Sequence, residues 1–372
     1  MATAAAAAPA RPAAVVAQSR VASPAPVRLA TDADGYQYRR GEIIALDLDP
    51  AGLERVKALG YEVVSSQVLD GAGVTLRVLK GPPDAAAALL RLRGASPGAT
   101  FALNHVFGPA GANAPAAPAP PDAPVRPCAC RIGIVDTGVD PTLRDLRKTR
   151  LTQRGFGGGE ARAQPHGDAV ASLIAGQVGG GAPSQASELY VADMFSAGPQ
   201  SGSAASLIGG LAWLAQQAVP VINVSLTGPP NAAVAKVLEN IVAKGVVVVA
   251  AAGNDGAAAP PVFPAAYPQV VAVTAVDRAR RPYRYANRGA YVMFSALGVD
   301  VPAAGPDGAS QTVSGTSFAS PIVAVEVARR LSKADAAAAH KALQALAAQA
   351  IDLGAPGRDP VFGYGLIEGA RP

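Results

Sequence analysis

From residue 128 onward, apolar runs rich in Val and Ile alternate with helical patterns. Such alternation predicts an α/β fold, a parallel sheet covered by helices on both faces, because only doubly covered strands read as continuous apolar runs. Ahead of it, residues 39–108 change element type in short steps and predict a smaller α+β unit. Between the two lies an Ala/Pro-rich stretch, residues 109–127, without a core of its own. The predicted division is therefore a low-complexity, disordered leader (1–38), a small domain (39–108), a linker (109–127) and the α/β domain (128–372).

In the small domain, residues 41–48 read as a strand and 50–59 as a helix, with Leu53, Val56 and Leu59 on one face. Residues 61–68 and 74–79 read as two strands joined at Asp70-Gly71, 84–93 as a helix and 100–107 as a last strand. The βαββαβ order is the split-βαβ, ferredoxin-like arrangement. In the larger domain the strands fall at 132–135, 189–192, 219–224, 246–251 and 270–276. The helices fall at 167–175, 204–217, 231–244, 318–331 and 334–348.

The 372 residues allow one large or two ordinary domains, and 50% hydrophobic content permits a sizeable core. The net charge of +5 is spread along the chain. Its densest clusters, 144–150 and 278–284, lack interleaved aromatics and read as solvated surface, not as a nucleic-acid footprint. No apolar run reaches the roughly 18 residues that a bilayer span needs. The first thirty residues lack a basic start, and Pro9 and Pro12 interrupt any apolar segment, so a secretory signal is not demonstrated. Cys128 and Cys130 are spaced i to i+2. That spacing strains a bridge and makes a poor metal site, so free thiols are expected.

Chemistry concentrates in four segments. In Gly315-Thr316-Ser317-Phe318-Ala319-Ser320-Pro321 a serine opens an apolar helix, where backbone N–H groups and the helix dipole favour developing negative charge. The plainer reading is an N-cap. Of the three histidines, His340 lies on the polar face of a C-terminal helix and His105 in the last strand of the small domain. His166 heads an apolar helix with Gly167 beside it and is the candidate general base. Asp136 ends the strand Ile132-Gly133-Ile134-Val135 and is placed to orient the imidazole, with Asp140 as an ordinary turn residue. Asn254, after the strand Val249-Ala250-Ala251, could donate to an oxyanion beside the Ser317 N–H; otherwise Asn254-Asp255-Gly256 is a turn.

Together these segments, in the order Asp, His, Asn, Ser, resemble the subtilisin-like serine proteases (peptidase S8) over roughly residues 128–370. Gly133-Ile134-Val135-Asp136-Thr137-Gly138-Val139 is similar to the family's aspartate block, the segment from His166 to Ala171 to its histidine block, and the Ser317 segment to its serine block. The resemblance implies an endopeptidase with Asp136, His166 and Ser317 as triad and Asn254 with the Ser317 N–H as oxyanion hole. It implies substrate binding by Ser225, Leu226, Thr227 and Gly228, with Ser201-Gly202 opposite. It implies a primary pocket from Ala251, Ala252, Gly253 and the stretch Phe263 to Pro268. Gly363-Tyr364-Gly365-Leu366-Ile367 resembles the closing segment. No cofactor is implied, and the chain is expected to act as a monomer on protein or peptide substrates, secreted or periplasmic. The small domain resembles the chaperone and inhibitor pro-domain of these proteases, with the processing site in the linker.

Three departures stand out. Asp168 follows His166-Gly167 where a small residue or Thr is usual, and Thr227 replaces a common Gly. The chain after Gly176 runs straight into Gln177-Val178-Gly179-Gly180-Gly181, so the calcium loop of many relatives is expected to be missing. Two alternatives remain at this level. A sedolisin-like acid peptidase would carry Glu in place of His166, and a catalytically impaired relative would only bind peptides. A dinucleotide-binding reading fails because Gly157-Gly158-Gly159 and Gly179-Gly180-Gly181 do not follow a strand and open a helix.

Overall fold

The computed structural model describes residues 27–110, 128–176, 186–305 and 309–368. The segment expected to lack a calcium loop, 177–181, and most of the linker lie outside them.

The N-terminal unit comprises β1 (Leu29–Thr31), β2 (Gln37–Leu46), α1 (Pro50–Ala58), β3 (Glu62–Leu69), β4 (Val74–Lys80), α2 (Ala85–Ala95), β5 (Thr100–His105) and β6 (Gly108–Pro109). β5, β2, β4 and β3 lie side by side, all antiparallel, in the order of the split-βαβ arrangement. Asp49 and Asp84 cap α1 and α2 through their carboxylates, which accept the N–H of Gly52 and Ala87. The expectation of a disordered leader fails at its end: residues 29–31 pair with 37–39 of β2, because that end of β2 extends past β4 and leaves an edge open.

The period of two along β2 and β5 gives this sheet two apolar faces. Ile43, Ala45, Phe101 and Leu103 pack on Val56 of α1 and Leu92 of α2. Ile44, Leu46 and Ala102 face the other way, into the core of the second unit.

The second unit contains β7 (Cys130–Asp136), β8 (Arg150–Gly155), α3 (Pro165–Ala175), β9 (Ala186–Asp193), α4 (Ala204–Gln216), β10 (Val221–Val224), β11 (Leu226–Thr227), α5 (Ala232–Ala243) and β12 (Val247–Ala251). There follow β13 (Val271–Val276), β14 (Val292–Leu297), β15 (Val301–Ala304), β16 (Ser310–Val313), α6 (Thr316–Ala328) and α7 (Ala336–Gln349). Seven strands form one parallel sheet in the order β14-β13-β12-β10-β7-β9-β8. Alternate residues serve opposite layers. Ile132, Ile134 and Val249 pack toward α3 and α6, whereas Val135, Ile222 and Val248 pack toward α4 and α5. The chain leaves β7 toward β9 on one side and returns through β10 on the other. The carboxyl ends of β7 and β10 therefore flank the point where strand order reverses, the place where open α/β sheets hold their ligands.

The N-terminal sheet rests on α4 and α5, the outer layer of the second unit. Gly71 approaches α4 so closely that a Cβ there would lie 1.9 Å from the Ala212 carbonyl oxygen, so only glycine fits. Lys244 Nζ donates to the Gly71 carbonyl at 2.9 Å and Asn240 Nδ2 to that of Ala72 at 3.0 Å.

Cys128 and Cys130 form a disulfide, not the expected free thiols. Their Cα atoms are 5.1 Å apart, within bridging range, because Cys128 precedes the first residue of β7 and its backbone is not bound to the sheet ladder. Among the described residues no helix is long and apolar enough to cross a membrane, and no cluster of three or more His, Cys, Asp or Glu could hold a metal.

Candidate active site

Asp136 is the last residue of β7 and is fully buried. Its Oδ1 accepts the Thr137 N–H at 2.6 Å and lies 2.7 Å from His166 Nδ1. His166 stands in the first turn of α3, behind Pro165, whose missing N–H costs nothing at that position. Gly167 lets the helix start press on the loop after β7. A Cβ there would sit 2.6 Å from the Thr137 side chain, and the Gly167 N–H instead bonds Thr137 Oγ1 at 2.8 Å.

Burial alone would push the His166 imidazole pKa down. The Asp136 charge and hydrogen bond, and then the Ala110 backbone beside the ring, outweigh it, so the net shift is upward.

Ser317 lies inside the first turn of α6, one residue after its start, so it is not an N-cap; Gly315 takes that position. Its backbone N–H is one of the first-turn donors without an intrahelical acceptor. Pro321, four residues on, has no N–H to give the Ser317 carbonyl. That carbonyl accepts the Ser225 hydroxyl at 3.2 Å instead, which ties the nucleophile's helix to the end of β10. The His166 ring packs against Phe318 at 5.4 Å between centroids, so the imidazole borders the same first turn.

Asn254 is oriented by Thr316. The Thr316 N–H, which can only donate, reaches Asn254 Oδ1 at 2.9 Å, so the Nδ2 end faces the other way. His166 Nε2, Ser317 Oγ and Asn254 Nδ2 are all buried, and none makes a hydrogen bond of ordinary geometry among the described residues. The Ala110 backbone is close enough to the imidazole to favour its charge but is not aligned for a full bond. Buried polar atoms normally find one. Three orphans clustered around one helix terminus leave a base, a hydroxyl and an amide donor uncommitted to the fold.

Ser225, Leu226, Thr227 and Gly228 run beside this cluster, and the chain's own residues lie on them. Leu226 and Thr227 pair antiparallel with Pro109 and Gly108 of β6. The Ala110 N–H bonds the Ser225 carbonyl at 2.9 Å, and the Phe107 N–H bonds that of Gly202 at 3.1 Å. Residues 107–110 thus form a middle strand between Gly202 and Ser225–Gly228. Phe107 is fully buried beside Gly228, where a Cβ would come within 2.4 Å of its ring. Burial of that side chain contributes ~1.5–3 kcal/mol. Pro109 and Ala110, expected in an exposed linker, belong to this strand instead.

Ala251, Ala252 and Gly253 are buried at the end of β12, and the Gly253 N–H bonds Thr316 Oγ1 at 3.2 Å. Phe263 pairs with Gly228, but the Tyr267 hydroxyl turns away to both backbone groups of Asn231. Asp140 is a turn residue that accepts from Thr142. His340 is exposed on α7. Sequence reasoning passed over Asp193, which the register sets opposite Asp136. Its carboxylate is taken up by the N–H groups of Phe195 and Arg162, at 2.7 and 2.8 Å.

Asp168 is buried and accepts the Asp140 N–H at 2.7 Å, pinning the loop that follows Asp136. Burial, above all, and the charges of Asp140 and Asp136 push its pKa up to about 6, against the Asp140 hydrogen bond. A folded-state pKa above the unfolded one means that stability is full at low pH and falls as pH rises through that window, from about 4 to about 6. Asp168→Asn keeps an acceptor without the charge. It is expected to melt several degrees above the unmodified protein at pH 8, with the difference vanishing by pH 4. Equal melting temperatures at pH 8 would show that Asp168 carries no such charge cost.

Comparison with known proteins supplies the context. The Peptidase S8 family model, described as the subtilase family, matches residues 129–365. Subtilisin DY of Bacillus licheniformis is 33% identical over 249 residues, 64% of this chain and 88% of its own. The minor extracellular protease Epr of Bacillus subtilis is 35% identical over 172 residues, 45% of this chain and 26% of its own. Among solved structures, fervidolysin of Fervidobacterium pennivorans, described as a keratinolytic enzyme related to subtilisin, superposes with a TM-score of 0.73 at 21% identity. That match covers 89% of this chain and 60% of fervidolysin, and shows the fold alone. The prenylagaramide maturation protease PagA matches at 28% identity and a TM-score of 0.55, over 64% of this chain and 90% of its own.

Proposed function

Since the chain belongs to the subtilase family, we propose that it is a serine endopeptidase made as a precursor, with its N-terminal unit as pro-domain and inhibitor. In this reading Ser317 Oγ attacks the scissile carbonyl while His166 Nε2 takes its proton. Asp136 holds the imidazole through Nδ1, and Asn254 Nδ2 with the Ser317 N–H receives the oxyanion. His166 then protonates the leaving amine, and water hydrolyses the acyl-enzyme by the reverse path. Substrate adds as a strand against Ser225–Gly228, with Ala251–Gly253 lining the primary pocket.

The observation that carries this reading is the strand 107–110 laid along Ser225–Gly228 with Ala110 against His166. Ala110 holds the place of the residue before the cleaved bond. The first cleavage is therefore of the chain itself, on the carbonyl side of Ala110, and specificity favours a small residue there. The cut leaves the N-terminal piece that ends at Ala110 bound as a product-like inhibitor. The disulfide fits an oxidising compartment, so the protein is secreted or periplasmic, and it acts as a monomer without a cofactor.

Purified full-length protein is expected to yield a catalytic piece whose mass begins at residue 111. Ala110→Arg, which forces a charge into a buried position, should slow that cut roughly tenfold or more, a barrier change of about 1.4 kcal/mol or above. A first cut elsewhere in 111–127, or an Arg variant that cuts as fast, refutes the assignment.

A further inference from the structure

A cavity of about 1010 Å³ opens where the N-terminal sheet meets the second unit beside the substrate cleft, and the peptidase chemistry does not use it. Its two walls differ in kind. The N-terminal unit lines it with Arg28, Arg39, Arg40, Glu42 and Lys80, drawn from the residue before β1, from β2 and from the end of β4. The second unit lines it with segments 157–158 and 197–201, which carry no charged side chain and are mostly glycine, alanine or proline.

The single carboxylate among these groups is already committed. Glu42 Oε1 lies 3.4 Å from Lys80 Nζ, and its Oε2 accepts the Asn104 amide at 2.8 Å. Lys80 also donates to the Arg40 carbonyl at 2.9 Å. Arg39 gives an Nη2 proton to the Ser201 carbonyl at 2.8 Å, while its Nε is buried and unpaired among the described residues. Among those residues Arg28, Arg39 and Arg40 meet no carboxylate. The sequence ahead of this wall adds no counter-charge, since residues 1–26 contain two Arg and no Asp or Glu. Three guanidinium groups from separate positions thus converge on one hollow with their charge unbalanced. Each is a planar fork of donors that matches phosphate or sulfate oxygens in pairs. The volume is far larger than one such group and reaches the upper end of small-molecule sites, about 300–1,000 Å³.

We propose that this cavity binds a small molecule carrying several phosphate or sulfate groups, held by Arg28, Arg39 and Arg40, and that the bound anion clamps the N-terminal unit onto the peptidase. The clamp, though not the site, rests on the reading of that unit as an inhibitor. All the cations belong to one unit and the opposite wall to the other. That wall includes Ser201, tied to Arg39, and continues into Gly202, whose carbonyl takes the Phe107 N–H. The complete cavity therefore exists only while the units are joined. A ligand that prefers the joined state tightens it by at most 1 + [L]/Kd, since the released unit keeps its arginines.

The site is tested on the full-length Ser317→Ala chain, which stays uncut, by calorimetric titration at constant ionic strength. One arm uses inorganic tripolyphosphate and the other sucrose octasulfate. Saturable binding of one molecule per chain in either arm supports the site, and the tighter arm identifies the phosphorylated or the sulfated source. Arg28→Gln with Arg40→Gln should weaken it at least about tenfold, as loss of two charge-assisted contacts requires. Arg147→Gln with Lys148→Gln removes equal charge from exposed positions outside the cavity and should leave binding unchanged. No saturable binding in either arm, or equal loss in both double variants, overturns the site. The clamp is read on self-cleaved unmodified protein, as the apparent inhibition constant of its N-terminal piece toward a peptide substrate. That constant should fall up to about tenfold at ten times the ligand Kd. An inhibited enzyme whose constant does not move overturns the clamp. A chain that binds the anion but, once cut, is fully active overturns the inhibitor reading and the clamp with it, while the site stands.

Discussion

Ser317→Ala is expected to abolish peptide hydrolysis and to leave the chain full length. Loss of the nucleophile in a subtilisin costs about 10⁶ in kcat, a magnitude that belongs to that relative and sets the scale here. The side chain removed is one whose Oγ has no hydrogen-bond partner among the described residues, so the fold loses nothing with it. Melting temperature should therefore be unchanged, a combination that a structural serine would not show. Residual turnover above background, or self-cleavage by the Ala variant, would place the nucleophile elsewhere.

The second large effect belongs to Asn254. Removing the Nδ2 donor is expected to lower kcat by about 10² to 10³ with KM little changed, the size found for an oxyanion donor in a subtilisin, because the bond strengthens only in the transition state. Asn254→Ala also strips the acceptor from the Thr316 N–H and hydroxyl, so stability should fall as well. Asn254→Asp separates the two roles: it keeps an acceptor for Thr316 and has no donor to offer. A kcat near normal in the Asp variant would assign Asn254 to holding the turn. A kcat as low as in the Ala variant, with stability retained, supports the oxyanion role. Steady-state kinetics and thermal unfolding on both variants decide it.

Much of the parallel sheet was legible because strands buried on both faces read as unbroken apolar runs, as in β12 and β13. In the second unit the strands missed are β8, β11, β14, β15 and β16, and partial burial accounts for only some of them, since β14 is mostly buried. β8 lies at the sheet edge with alternate residues exposed, and β15 and β16 form a hairpin apart from the main sheet. Strand β11 is two residues long and carries no pattern of its own.

The reactive groups were legible one by one, since each stands at a helix start or strand end that local sequence marks. Their mutual orientation was not. The role of Pro321 in freeing the Ser317 carbonyl, and of Thr316 in turning Asn254, depends on hydrogen bonds between segments distant in sequence. For the same reason the seating of residues 107–110 between Gly202 and Ser225 could not be read ahead of the structure, and neither could the meeting of His105 with Asn231.

The most direct measurement is reaction of the purified full-length protein with a fluorophosphonate, followed by intact mass and peptide mapping. A catalytic piece starting at residue 111 and bearing one adduct, on Ser317, is the expected result. An unlabelled chain that is still full length, or an adduct on any other residue, would contradict the assignment of Ser317 as nucleophile of a self-processing peptidase.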